Sequence, residues 1–181
     1  MNTRSKGFTL LELIIIIAIL AISMAFAAPA LSTLISNERI SSNVNDFVAA
    51  LQYAKTEAAS RVNPVTICKR NADGDDCVAG GDWSAGWIVF SDPNGNASVD
   101  AGEPVLLRHE SLDARISFGG TAGVATSITY RPSGTTSVNN TEVLIMCDDR
   151  GFADSARGVL ITITGRGNVM KASDTGQNSC L

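Results

Sequence analysis

Lys6-Gly7-Phe8-Thr9-Leu10-Leu11-Glu12 is the stretch that decides the fold, and residues 13–31 continue it as hydrocarbon broken only by Ser23. At 1.5 Å per residue a helix over that run is ~28 Å long, about one bilayer core. One carboxylate, Glu12, stands at its edge. A charge there costs roughly 2.5–3.5 kcal/mol as it nears the bilayer centre, so an intramembrane glutamate marks a function rather than an anchor. Arg4 and Lys6 are the only charged side chains before Glu12. The positive-inside bias therefore leaves the N-terminus cytoplasmic and the bulk of the chain outside.

A basic leader, a glycine, a phenylalanine and a glutamate at this spacing resemble the type III signal of type IV pilins and type II secretion pseudopilins. The resemblance implies that a prepilin peptidase cuts after Gly7 and methylates the new amino group on Phe8. Glu12 then becomes the fifth mature residue, and Pro29 falls where many pilins kink the helix. It also implies a single-pass protein of the inner membrane with its head in the periplasm, assembled into a pilus tip or a pseudopilus. In that setting Glu12 pairs with the Phe8 amine of a neighbouring subunit, and a charge-assisted pair recovers much of the cost of a carboxylate in lipid. The plainer alternative is a glutamate that snorkels to the interface. A cleaved secretory peptide fits poorly, because Ala27-Ala28-Pro29-Ala30 places a proline where small residues are wanted.

Beyond Pro29 the helical pattern becomes amphipathic. Ile40, Val44, Phe47, Leu51, Ala54 and Ala58 recur at spacings of four and three, and Asn63-Pro64 ends the run. From Val65 the period falls to two, or to short apolar blocks between turns. Strands are predicted over 65–69, 86–90, 104–108, 115–118, 127–131, 143–147, 158–164 and 168–171. Thr162 and Thr164, alternating with Ile161 and Ile163, predict one wet face for the seventh. Residues 119–123 and 133–140 read as loops. One long helix followed by strands predicts an α+β fold, the helix packed on antiparallel β-sheet. The organisation is a leader (1–7), a transmembrane and assembly half-helix (8–31), an amphipathic half-helix (32–63) and a β-rich head (64–181).

The chain has 181 residues and a net charge of −4, which becomes more negative by two once Arg4 and Lys6 are lost. An acidic body of this kind is not a general nucleic-acid binder. The four cysteines, Cys68, Cys77, Cys147 and Cys180, all follow the apolar run. With no Cys-x-x-Cys and a single histidine, they read as disulfides of an exported head rather than as zinc ligands. Three pairings exist. Cys68–Cys77, flanking the turn Asn71-Ala72-Asp73-Gly74, and Cys147–Cys180, tethering the tail, are favoured. Loop entropy gives roughly 2.5–3 kcal/mol for the first and roughly 3.5–4 kcal/mol for the second.

The head carries a second resemblance. Trp83-Ser84-Ala85-Gly86-Trp87-Ile88-Val89-Phe90, Asp92-x-Asn94-Gly95, Gly102-Glu103, Cys147-Asp148-Asp149-Arg150-Gly151 and Gly165-Arg166 look like the GspH/FimT family of minor pilins and pseudopilins, FimU-like members included. Membership implies a structural subunit, present in few copies near the tip, that helps initiate assembly of a type IV pilus. Its partners would be major and minor pilins or pseudopilins, the inner-membrane assembly platform and the prepilin peptidase. An H-type pseudopilin of type II secretion and a DNA-receptor pilin for transformation are the alternatives.

Other candidate sites are weaker. Asp92, Asn94, Asn96, Asp100 and Glu103 match the oxygen-ligand spacing of a calcium loop, but Ala97 replaces the glycine at the sharp turn and the flanks are strands. A hairpin loop whose Asx side chains bond their own backbone accounts for the same residues. Arg150, Arg157, Arg166 and Lys171 collect basic charge in the last third. Some family members bind DNA through Gly-Arg-x-Arg; here Gly165-Arg166-Gly167-Asn168 lacks the second arginine, which leaves Arg166 and Lys171 as DNA contacts that are not favoured. Trp83 and Trp87 read as core anchors and His109 as a surface residue. No nucleophile–base pair and no phosphate-cradling loop is present, so no catalytic residue and no cofactor is expected.

Overall fold

The computed structural model describes residues 7–152 and 154–181, and only the backbone of residues 27–29. The leader as far as Lys6 and the side chain of Pro29 lie outside the described residues. Leu10–Arg61 is a single helix, α1, and the chain divides into two units, Met1–Glu38 and Arg39–Leu181.

The first unit is apolar and bare. Its described large side chains from Phe8 to Ile35 are all exposed, and the stretch is long and apolar enough to cross a membrane. It has the length and composition of a membrane anchor. Ser23 does not leave a loose hydroxyl in this run, because its Oγ donates to the Ile19 carbonyl at 2.8 Å.

In the second unit the helical stripe goes inside. Ile40, Val44, Phe47, Leu51, Ala54 and Ala58 are each at most 1% exposed. α1 stops at Val62, whose φ of +55° is a left-handed conformation, and Pro64 then cannot continue it.

Among the described residues eight strands follow: β1 Val65–Lys69, β2 Trp87–Ser91, β3 Val105–His109, β4 Ser117–Gly120, β5 Ser127–Tyr130, β6 Glu142–Cys147, β7 Arg157–Ile161 and β8 Gly167–Lys171. All pairings are antiparallel, and they form two four-stranded sheets, β3-β2-β1-β5 and β4-β6-β7-β8. The fold is α+β, with antiparallel strands on the helix; the division into two sheets is not disclosed by the strand pattern. It arises because β4 leaves the first sheet to pair with β6, whereas β5 returns to pair with β1.

Phe47 is where α1 meets both sheets. Its ring lies edge-on to Trp83, Trp87 and Phe118, at 5.3, 5.1 and 4.8 Å between centroids. Such pairs add about 0.5–1.5 kcal/mol each beyond burial. The outer faces are covered too, which is why β1 and β2 are buried at every residue. Over the first sheet, Cys68, Ile88 and Phe90, with Val105 beside them in β3, lie under Cys77 and Val99. On the second, Val143, Ile145 and Cys147 pack with Ala156, Ala172, Phe152 and Cys180. Each cover is tied down by a disulfide, Cys68–Cys77 (S–S 2.04 Å) and Cys147–Cys180 (S–S 2.07 Å).

Two local expectations are corrected. Gly119 and Gly120 belong to β4 rather than to a loop; a Cβ on Gly119 would lie 2.2 Å from the Leu181 carbonyl, so the glycine lets the tail backbone approach. Thr162, Ile163 and Thr164 are not strand. β7 ends at Ile161 and the chain turns, Gly165 N–H donating to the Thr162 carbonyl at 2.9 Å. Gly165 has φ +71°, the left-handed residue that closes such a hairpin.

Candidate assembly and ligand sites

The N-terminal site is built by a helix start. Thr9 precedes α1, and its Oγ1 accepts from the Glu12 backbone N–H at 3.2 Å while its carbonyl accepts from Leu13 at 3.2 Å. Thr9 is therefore the N-cap and Glu12 the third helical residue, the Thr-x-x-Glu spacing of a capping box. A carboxylate in the first turn also faces the positive end of the helix dipole. Thr9 is a further residue of this site, and its spacing to Glu12 carries the signal in the sequence. Phe8 is 75% exposed, and Glu12 makes no ion pair among the described residues. Phe8 and Glu12 thus stand on an uncovered surface, open to another chain.

The 92–103 loop is closed on itself. Asp92 is fully buried, and its carboxylate accepts from Thr66 Oγ1 at 2.7 Å and from the backbone N–H of Asn96 and Ala97, both at 3.1 Å. The amides of Asn94 and Asn96 both donate to Asp100 at 2.8 Å, and Glu103 accepts from the Asp100 N–H at 2.9 Å. Ala97 takes φ +58° where a calcium loop has glycine. These oxygens serve the loop, and among the described residues no group of three or more His, Cys, Asp or Glu is placed to hold a metal.

The basic residues of the last third do not form one patch. Arg150 lies against Asp148, its Nη2 2.5 Å from the carboxylate, and this contact lowers the Asp148 pKa. Arg157 donates to the carbonyls of Asp154, Ser155 and Ala156. Arg166 sits in the β7–β8 turn and Lys171 at the far end of β8, opposite Arg157. His109 is more than a surface residue: its ring stacks on Trp87 at 3.9 Å and 9°, and its Nδ1 is 2.8 Å from the Glu110 carbonyl.

Lys69 and Asp113 are among the charged groups of the head whose pKa values are displaced. Lys69 is 2% exposed, and its ammonium donates to the carbonyls of Ala79 and Gly81, both at 2.9 Å. Burial lowers its pKa, and nearby Asp82 opposes the shift. Asp113 is held down to about 2, first by the hydrogen bond from the Arg115 side chain and less by Arg39.

Residues 43–167 match the family described as Type II transport protein GspH. The chain belongs to the GspH family. At its start, residues 2–28 match the prokaryotic N-terminal methylation motif. The GspH-family chain is 28% identical over 154 residues to the type IV major fimbrial protein FimA of Dichelobacter nodosus, covering 80% of this chain and 82% of that protein. Two crystal structures of the Pseudomonas aeruginosa type IV minor pilin FimU share its fold. One superposes with a TM-score of 0.60 at 22% identity, over 80% of this chain and 96% of FimU. The other gives 0.56 at 20% identity, over 78% and 99%. The GspH-family chain is thus a member of a type II transport family that has the fold of a type IV minor pilin.

Proposed function

We propose that this chain is a minor, tip-proximal pilin of a type IV pilus, a non-enzymatic subunit that helps initiate the fibre. The reading rests on one observation: a carboxylate with no ion pair among the described residues, Glu12, in the first turn of an uncovered apolar helix that follows Gly7-Phe8. After cleavage by a prepilin peptidase, the Phe8 amine of a neighbouring subunit supplies the missing cation. An unpaired carboxylate in lipid is costly, and pairing gives the subunit an energetic reason to leave the bilayer for the fibre. The head then stands in the periplasm with the N-terminus on the cytoplasmic side. Its partners are other pilins and the assembly platform.

Glu12→Ala tests this. The variant removes the costly charge and leaves the span and head intact, so abundance in the membrane fraction is expected to be normal. The subunit is expected to disappear from sheared fibres. Wild-type fibres that still contain the variant would sink the pairing role.

The description of the matched family, a type II transport protein, favours a second reading as the H-type pseudopilin of a secretion system. A deletion strain separates the two: loss of surface fibres supports the pilus, and loss of secreted enzymes with intact fibres supports secretion.

A further inference from the structure

Three elements distant in sequence meet at one corner of the head. Lys55 of α1 reaches the β7–β8 turn, its Nζ donating to the carbonyls of Thr164 at 3.0 Å and Gly165 at 3.5 Å. The 131–137 loop joins the same turn, Thr136 N–H donating to the Ile163 carbonyl at 3.0 Å and Thr136 Oγ1 to the Thr162 carbonyl at 3.1 Å. Arg131 bonds within its loop, to the Thr136 carbonyl. Arg166 completes the turn, and its guanidinium has no partner among the described residues. Lys55, Arg131 and Arg166 thus belong to three segments that meet at this turn, and none of their side chains meets a carboxylate among the described residues. Ile163, in the same turn, is 52% exposed. The corner is well fixed: a Cβ on Gly165 would lie 2.4 Å from the Gly134 carbonyl, and one on Gly134 would lie 3.2 Å from Lys55 Cε.

We propose that this corner is a docking surface for an acidic loop of an adjacent pilin-type subunit, where an exposed isoleucine and three cations without counter-charges among the described residues lie on meeting segments. Charge complementarity names the occupant. This chain displays acids on its outer loops: Asp73, Asp75, Asp76 and Asp100 are exposed on the segments covering the first sheet, which are joined by Val99 N–H to Asp76 at 3.2 Å. A neighbour built the same way presents the carboxylates that the corner lacks, and an aliphatic side chain on the neighbouring loop covers Ile163. A nucleic acid fits less well. The chain carries −4 overall, which opposes a polyanion, and Ile163 has nothing to contact on a phosphate backbone. The inference rests on the assembling role proposed above.

The full-length chain carrying a photoactivatable benzophenone side chain at position 163, expressed in its own cells, tests it. Irradiation is expected to yield an adduct with a pilin-type subunit, mapped by mass spectrometry to an acidic segment. Arg131→Glu with Arg166→Glu is expected to lower that yield by roughly tenfold or more, because like charges then face each other. Arg166→Glu alone repeats the test at a side chain with no bond among the described residues, so a folding defect cannot imitate the result. No adduct, an adduct with nucleic acid, or an adduct insensitive to charge reversal overturns the proposal. Sheared fibres from the same cells keep the two readings apart. The chain in fibres without an adduct sinks only the docking surface. An adduct in the membrane fraction, with the chain missing from fibres, sinks only the pilus role.

Discussion

At residue 62 a valine holds a backbone shape that suits glycine. Its φ of +55° closes α1, and the side chain is 73% exposed, so little packing offsets the strain. For an L-residue the left-handed region costs roughly 1–2 kcal/mol, and glycine gives part of that back through the entropy of the unfolded chain. Val62→Gly is therefore expected to stabilise the head by about 1 kcal/mol, which raises Tm by ~2–4 °C for a protein of this size. Thermal unfolding of the detergent-solubilised chain measures it; a lower Tm would mean that Val62 makes a contact worth more than its strain. The functional residues at this scale are legible because they are local. Gly7, Phe8 and Glu12 fall within one short stretch, and Thr9 adds the cap by spacing alone. Lys55, Arg131 and Arg166 are not legible in this way, since only folding brings them to one corner.

Between elements, Asp113 joins α1 to the segment linking β3 and β4. It accepts from Arg39 of the helix at 2.7 Å and from Arg115 at 3.1 Å. Its carboxyl is held at about 2 against an ordinary 3.8, so the folded state favours the charged form. The sign follows: the stabilisation is complete above the ordinary carboxylate value and is lost as pH falls through about 2. Arg115→Gln is expected to move the Asp113 midpoint up towards 3.8 in a carboxyl NMR titration. An unmoved midpoint would assign the depression to the Arg115 backbone N–H, which bonds Asp113 at 3.0 Å, and to Arg39. Elements are legible where a face is buried along its length. The stripe from Ile40 to Ala58 keeps its period because one side meets both sheets, and β1 is an apolar block because it is covered on both faces. The failures have local causes. Thr162 and Thr164 alternate like a strand, yet the left-handed Gly165 turns the chain first, and Gly119-Gly120 read as a loop although the approach of the tail requires small residues there.

For the whole head, stability rests on one central core and two covered outer faces, with a disulfide at each cover. The Cys147–Cys180 loop spans 33 residues, and closing it restricts the unfolded chain by roughly 3.5–4 kcal/mol. Cys180→Ser is expected to cost stability on that scale and to bare Cys147, Val143 and Ile145. Thiol labelling of native protein checks it: Cys147 should label in the variant, and a protected Cys147 would show that the tail docks without its tether.

That same tether sets a timetable. Cys68 and Cys77 are nine residues apart, so the lid on the first sheet is available almost as soon as β1 has been made. β6 must wait for β7, β8 and the segment through Cys180 before its outer face is shielded. During synthesis the second half of the head is therefore the vulnerable one. A ribosome stalled or a chain clipped anywhere between residues 147 and 180 leaves an oily β-surface and a lone thiol side by side, the combination that quality-control chaperones and oxidoreductases recognise.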